Sequence, residues 1–341
     1  MRRTVSMNAT IDGRARGAHA DLAIALRRAR SVFRPPLLPD DPSTFLCRRG
    51  THGVGARRAT GRRAAGGRLG VVVSTCFAAC FAAGAQAADP QDMGFTDTPI
   101  LPGGKWHVHD PARPAPVVVT PGRQAGSPPS DATILFDGGS LDAWAPKGQA
   151  WPVAGGAITV PPRTDGKSSN LVTRQSFGDI QLHLEFRSPS PPTRTSQNRG
   201  NSGIYFMGRY EVQVLDGFRN PTYADGTVGA VYGWKPPLVN AARQPGEWQS
   251  YDIVFERPRF KADGSLARPA YVTVMLNGVL VQNHQAMLGT TNWRHVSAYT
   301  AHGDAAPLEL QDHDSPVSFR NIWVRPLPAD AIAQDLNGET R

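Results

Sequence analysis

The feature that most constrains the fold of this chain is strict alternation. In "DIQLHLEFRSP", Ile180, Leu182, Leu184 and Phe186 are apolar, while Gln181, His183, Glu185 and Arg187 between them are polar. In "NSGIYFMGRYEVQVLDG", Ile204, Phe206, Tyr210, Val212 and Val214 stand against Tyr205, Arg209, Glu211 and Gln213, with Gly208 the one gap on the apolar side. A period of two sends alternate side chains to opposite faces of a strand. Such segments can only settle in sheets with one dry face, and the second reads as a single strand over 204–214.

The rest of the chain follows suit. "GEWQSYDIVFERPRF", "AYVTVMLNGVLVQNHQ" and "APLELQDHDSPVSFRNIWVRPL" read as further strands, and Asn277-Gly278 between apolar runs is a hairpin signal. "AWPVAGGAITVPP" holds two short strands about a glycine turn. Only "PADAIAQDL" looks helical. Many strands, Gly/Pro turns and almost no helix predict an all-β, two-sheet β-sandwich over 131–327, starting at "ATILFDG", with a short tail over 328–341. Residues 88–130 read as an extended Pro/Gly-rich arm, with Trp106 and Val117–Val119 as its docking points.

The polar faces carry an unusual set. Ordinary solvent faces carry Lys, Thr and Ser. Here one strand offers His183, Glu185 and Arg187, and the next offers Tyr205, Arg209, Glu211 and Gln213. "LELQDH" adds Glu309, Gln311 and His313 opposite Leu308 and Leu310. Any one such strand could be a solvated outer face. Three matching strands, nearly free of lysine, predict one wet concave sheet that recognises a polar ligand. Aromatic rings interleaved with amides and carboxylates suit sugars, which present apolar CH faces and hydroxyls.

The formal charge of +9 suggests nucleic acid until it is located. Residues 1–88 hold 15 Arg and no Lys against 4 Asp, a net +11, and residues 89–341 carry −2. The near-neutral remainder gives no electrostatic case for nucleic acid. Arg62, Arg63 and Arg68, the apolar run Leu69 to Ala83 and the small-residue site Ala85-Gln86-Ala87 have the order of a secretory leader over 62–87. The apolar run is shorter than the roughly 20 residues that span a bilayer, so no transmembrane segment is expected. A periplasmic or secreted protein is expected, with lipid attachment at Cys80 as an alternative. Residues 1–61 read as a start assigned too early or a disordered extension. Cys47, Cys76 and Cys80 all precede the cleavage site, so the mature chain has no disulfide or thiol chemistry. His107 and His109 share one side of an extended segment, a metal pair or a packing pair, with no third ligand nearby.

The motifs "GNSGIYFMGRYEVQVLD", "GAVYG", "GEWQSYDIVFERPRF", "VTVMLNGVLVQNH" and "PLELQDHDSPVSFRNIWVRPL" resemble the 3-keto-disaccharide hydrolase domain family over about residues 131–327. The resemblance implies a jelly-roll β-sandwich of the concanavalin A-like lectin/glucanase type. It implies an exported enzyme acting on a small saccharide or glycoside whose glucose unit is oxidised at C3. Asp314 in "QDHD" departs from the family's usual glycine. The C3 ketone acidifies the C2 proton, so a base can remove it, the C1 substituent leaves by elimination, and water adds. Such a site needs a base, an acid and donors at the enolate oxygen. Glu211 and His313 are the acid/base candidates, with Glu185 and Asp216 in reserve. Arg209, Arg320 and Asn201 are candidate donors to the ketone. His183, Glu185, Arg187, Asn201, Tyr205, Arg209, Gln213, Asp216, Gln311 and Arg320 together form the expected substrate-binding set. No cofactor is expected. A divalent cation stays open, because His183, Glu211 and His313 could meet in space.

Two alternatives remain. A retaining glucanase on the same fold carries paired acids as E-x-D-x-E or E-x-D-x-x-E, and "EVQVLD" imitates the longer form with Gln213 in the middle and Asp216 last. A non-catalytic sugar-binding module would keep the face without the chemistry.

Overall fold

The structure, a computed structural model, describes residues 93–328, Asp165 excepted. The expected leader, the residues before it and most of the helix-like tail lie outside the described residues. Among the described residues there are fifteen strands: β1 (Thr133–Phe136), β2 (Trp144–Pro146), β3 (Val153–Ala154), β4 (Ala157–Thr159), β5 (Leu171–Phe177), β6 (Ile180–Arg187), β7 (Ser202–Phe206), β8 (Tyr210–Val214), β9 (Gln249–Glu256), β10 (Arg259–Phe260), β11 (Leu266–Arg268), β12 (Tyr271–Leu276), β13 (Val279–Ala286), β14 (Ala306–Leu310) and β15 (Ser318–Pro326).

They form a jelly-roll β-sandwich. The larger sheet runs β13-β12-β9-β6-β15-β4-β3, with β1 also paired to β15. The smaller sheet runs β2-β5-β14-β7-β8, and β10-β11 is a separate ribbon. All pairings are antiparallel. The apolar rows meet between the sheets. Leu182, Leu184 and Phe186 from β6 and Ile204, Phe206, Val212 and Val214 from β7 and β8 are all buried. Phe206 of the small sheet stacks on Phe255 of the large one, ring centroids 4.6 Å apart. The Tyr251 hydroxyl crosses the core to donate to the Gln213 carbonyl at 2.7 Å.

The single strand expected over 204–214 is a hairpin. Met207 and Gly208 both have positive φ, 54° and 64°, and Arg209 donates its N–H to the Phe206 carbonyl at 3.0 Å. These are the left-handed angles that a tight hairpin demands. Ile204 pairs with Val212 and Phe206 with Tyr210. Residues of equal parity therefore face each other, and the alternation passes through the turn unbroken. The Asn277-Gly278 and Gly155-Gly156 turns form as expected, each with φ > 0 at both residues.

The expected single polar sheet does not form. β6 belongs to the large sheet, whereas β7, β8 and β14 belong to the small one. Their polar rows point away from a shared core, so they lie on opposite outer faces of the sandwich. Of the arm's expected docking points Val117 and Val118 are exposed, while Trp106 and Val119 are half-buried, and Gly126 makes a contact not foreseen by pattern, its carbonyl accepting from Trp323 Nε1 and Asn321 Nδ2 at 2.9 Å each. His107 Nδ1 is engaged with the Thr98 carbonyl, and His109 lies edge-on to Phe95. Among the described residues no group of three or more His, Cys, Asp or Glu side chains is gathered as a metal site, and no helix is long and apolar enough to cross a membrane.

Candidate active site

β8 lies at the edge of the small sheet, yet all five of its residues are buried. An edge strand needs partners for its free backbone groups, and residues 229–235 supply them. Gly229 donates to the Gln213 carbonyl, Gln213 to the Ala230 carbonyl and Tyr232 to the Glu211 carbonyl, at 3.1, 3.0 and 3.3 Å. Thr291 Oγ1 accepts the Glu211 N–H at 3.0 Å. These segments roof the outer face of the small sheet with Tyr223, Tyr232, Thr291 and Trp293. Beneath them is a cavity of about 330 Å³ with Tyr205, Glu211, Gln213 and Gln311 on its floor. Gln197, Asn198, Asn201 and His313 close its side.

Glu211 is the one carboxyl among the residues lining this cavity. Burial raises its pKa from the model-peptide value of 4.5 to about 8, against a smaller opposing effect from the Tyr205 hydroxyl. The Tyr205 hydroxyl donates to Glu211 Oε2 at 2.7 Å and accepts from Gln311 Nε2 at 3.2 Å. Burial and the neighbouring Glu211 raise the Tyr205 pKa, so this hydroxyl stays protonated. The chain Gln311–Tyr205–Glu211 thus fixes one carboxyl oxygen. The other packs against Gly203, where a Cβ would collide with Oε1, so only glycine leaves the carboxyl its place.

His313 follows the end of β14 in a tight, braced turn. Asp312, fully buried at its side chain, accepts from Ser169 N–H at 2.8 Å, Asp314 N–H at 2.8 Å and Arg163 Nε at 3.3 Å. Asp314 takes φ 56°, and Arg194 donates to its carbonyl and carboxylate at 2.7 and 3.0 Å. A left-handed angle that glycine adopts freely is here held by an ion pair. Burial lowers the His313 pKa, and the Arg163 charge adds to the effect.

Two acceptors in the cavity have no partner: Gln213 Oε1 and Gln311 Oε1 are buried and make no hydrogen bond. A buried acceptor left unpaired costs about 1–3 kcal/mol. Gln213 cannot relieve this by turning, because its amide nitrogen lies near the Gln197 and Asn201 side-chain oxygens and the Gly226 carbonyl, at 3.3, 3.5 and 3.2 Å. Unpaired acceptors on residues that line a polar cavity suit a ligand rich in hydroxyls.

Of the expected site residues, the structure gathers Glu211, His313, Asn201, Tyr205, Gln213 and Gln311 around one cavity. The others stand elsewhere. Arg209 sits in the β7–β8 turn, outside the lining. Asp216 is locked to Arg199 at 2.7 Å and to the Phe218 N–H at 3.1 Å, as a brace for the loop after β8. The paired carboxylates of a retaining glucanase are therefore not assembled at this cavity. His183, Glu185, Arg187 and Arg320 lie on the large sheet. His183 Nδ1 is 2.7 Å from Asp252 and its ring stacks on Trp323; Arg320 pairs with Glu185 at 2.6 Å. The Arg187 and Arg320 guanidiniums lie 4.6 and 4.1 Å from the Trp248 ring centroid. His183 thus cannot join Glu211 and His313 in a shared cation site. Tyr223, Tyr232, Thr291 and Trp293 arrive on loops without periodicity, so alternation does not reveal them; the aromatic residues in "GAVYG" and "TNWRH" are the signals that the sequence holds.

The sequence model of the 3-keto-alpha-glucoside-1,2-lyase-like domain matches residues 131–325. Among solved structures, a "putative glycosyl hydrolase" from Parabacteroides distasonis ATCC 8503 is 45% identical, with a TM-score of 0.60, and the match covers 67% of this chain and 100% of that one. A second protein of that description from the same organism is 21% identical, with a TM-score of 0.43, covering 60% of this chain and 96% of that one. No curated protein matches significantly.

Proposed function

The chain belongs to the 3-keto-alpha-glucoside-1,2-lyase-like family, and on that premise we propose that it cleaves 3-keto-glycosides by loss of the C2 proton and elimination at C1, followed by hydration. A carbohydrate-active role follows from the family. The observation that carries the finer reading is the pairing, around one cavity, of a carboxyl with pKa about 8 and a histidine with lowered pKa, in a lining that also holds two unpaired acceptors. Perturbed ionisable groups in a concave site mark acid–base chemistry rather than simple sugar binding.

The protonation states assign the roles. Near pH 7 Glu211 holds its proton and His313 is neutral. His313 takes the C2 proton, and the electron pair becomes an enolate at the C3 oxygen. The Asn198 amide and the Tyr232 hydroxyl are donors on the cavity wall for that oxygen. The C1–O bond then breaks, and Glu211 protonates the departing oxygen. Water adds at C1 of the resulting enone and a proton returns to C2, giving net hydrolysis. Gln213 and Gln311 accept sugar hydroxyls and fix the ring.

The first test is substrate choice. The protein is expected to cleave 3-keto-trehalose or 3-keto-lactose and to leave the unoxidised sugars untouched, since these lack the carbonyl that stabilises the carbanion. Equal cleavage of both forms, read by product chromatography, would remove the basis for the mechanism. An exported setting belongs to the same reading: the chain isolated from its host is expected to begin at Ala88, and a soluble protein retaining residues 62–87 would contradict it.

A further inference from the structure

The catalytic cavity adjoins a second one. This neighbour, about 500 Å³, shares Tyr223, Tyr232 and Trp293 with the first and continues past them along Asn292 to Val296. The three aromatic residues therefore form a party wall. Their chemistry changes across it. The catalytic side holds the buried unpaired oxygens of Gln213 and Gln311; no residue of the second cavity has one. The second side adds Val296, 85% exposed, to the shared Trp293 and Tyr223, 67% and 44% exposed, with Asp225, Arg294 and His295 around them.

We propose that this second cavity is the leaving-group subsite and that it takes an aromatic aglycone. The proposal rests on the functional reading above, because it needs a glycosyl unit in the first cavity to give the second its occupant. A glycoside has two parts joined at the scissile bond, and here two cavities of different character meet at Tyr223, Tyr232 and Trp293. The hydroxyl-rich ring belongs with the unfilled acceptors. The group beyond C1 then emerges over the shared aromatic wall.

The second cavity favours an aryl group over a second sugar for two reasons. A hexose needs several fixed polar partners, but beside Asp225 and His295 the polar side chains of this lining are engaged elsewhere. Asn292 donates to Ser297 Oγ at 2.6 Å, the Tyr223 and Tyr232 hydroxyls pair at 2.8 Å, and the Arg294 guanidinium lies 5.2 Å from the Trp293 ring centroid. A flat aromatic ring needs only offset or edge-on contact with Tyr and Trp. Exposed large apolar side chains clustered beside a polar site are also the usual mark of a binding surface.

The test compares 4-nitrophenyl 3-keto-glucoside with methyl 3-keto-glucoside and 3-keto-cellobiose on wild type and Trp293→Ala. The proposal predicts that Trp293→Ala lowers kcat/KM for the aryl substrate about two- to tenfold more than for the methyl substrate, mainly through KM, the range that loss of one aromatic contact supplies. Equal loss on aryl and methyl substrates, or no loss on either, would overturn it. A larger loss on 3-keto-cellobiose than on the aryl substrate would replace the aryl group with a sugar and equally overturn it. If wild type turns over none of the three, the functional reading fails by itself. The subsite is then read separately by titrating tryptophan fluorescence with unoxidised 4-nitrophenyl glucoside against methyl glucoside. Saturable quenching by the aryl glucoside alone, lost in Trp293→Ala, sustains an aryl site, and its absence in wild type overturns it.

Discussion

Glu211→Gln is expected to lower turnover of a 3-keto-glycoside by about 10²–10⁴-fold while leaving the fold intact. The reason is the state of the wild-type side chain. Glu211 is buried and holds its proton up to a pKa of about 8, so a neutral amide of the same shape replaces a neutral acid. The Tyr205 hydroxyl can still donate to the amide oxygen. What is lost is the proton for the departing oxygen. The pH profile carries a second signature. Wild-type kcat/KM should fall as pH rises through about 8, because the acid is then spent, and this limb should vanish in the variant. Stability follows the same linkage. A carboxyl whose folded pKa is raised from 4.5 to about 8 contributes stability that is fully present below 4.5 and lost as pH rises through 8. Glu211→Gln should remove that decline. A variant with wild-type turnover and an unchanged alkaline limb would take Glu211 out of the chemistry.

Val214→Asp is expected to abolish folding. Val214 ends β8 with no exposed surface, between the two sheets. An unpaired charge there costs several kcal/mol, comparable with the roughly 5–15 kcal/mol that stabilises a domain. Val117→Asp is the control, because Val117 is exposed on the arm and the same charge there stays in water. Soluble expression and denaturant titration read both. A folded Val214→Asp protein at neutral pH would mean that the faces of β8 are reversed.

The faces of β6, β7 and β8 were legible because the direction of a side chain follows parity, and parity is written in the sequence. The turn at Met207-Gly208 was hidden for the same reason: a hairpin that pairs residues of equal parity leaves the alternation unbroken. Alternation also gives the face of a strand but not its sheet. His183 and Glu185 look like Glu211 and Gln213 in sequence, yet they emerge on the opposite side of the sandwich. Which sheet a strand joins is decided by long-range pairing, such as β6 with β9 and β15, that no local pattern records. Asp216 misled by spacing alone; its role as a loop brace depends on Arg199, which approaches from the segment before β7. The roof residues Tyr223, Tyr232 and Trp293 lie in irregular loops that no periodicity marks, and of the three Tyr232 is tied by a backbone bond to the edge of β8.

The central claim is that cleavage begins with loss of the C2 proton, and deuterium at C2 tests it most directly. A 3-keto-glucoside deuterated at C2 is expected to react more slowly than its protiated form if proton removal limits the rate, and the protiated substrate turned over in D₂O should yield 3-keto-glucose carrying solvent deuterium at C2. Cleavage with the original C2 label fully retained in the product would mean displacement at C1 without an enolate, and would contradict the account.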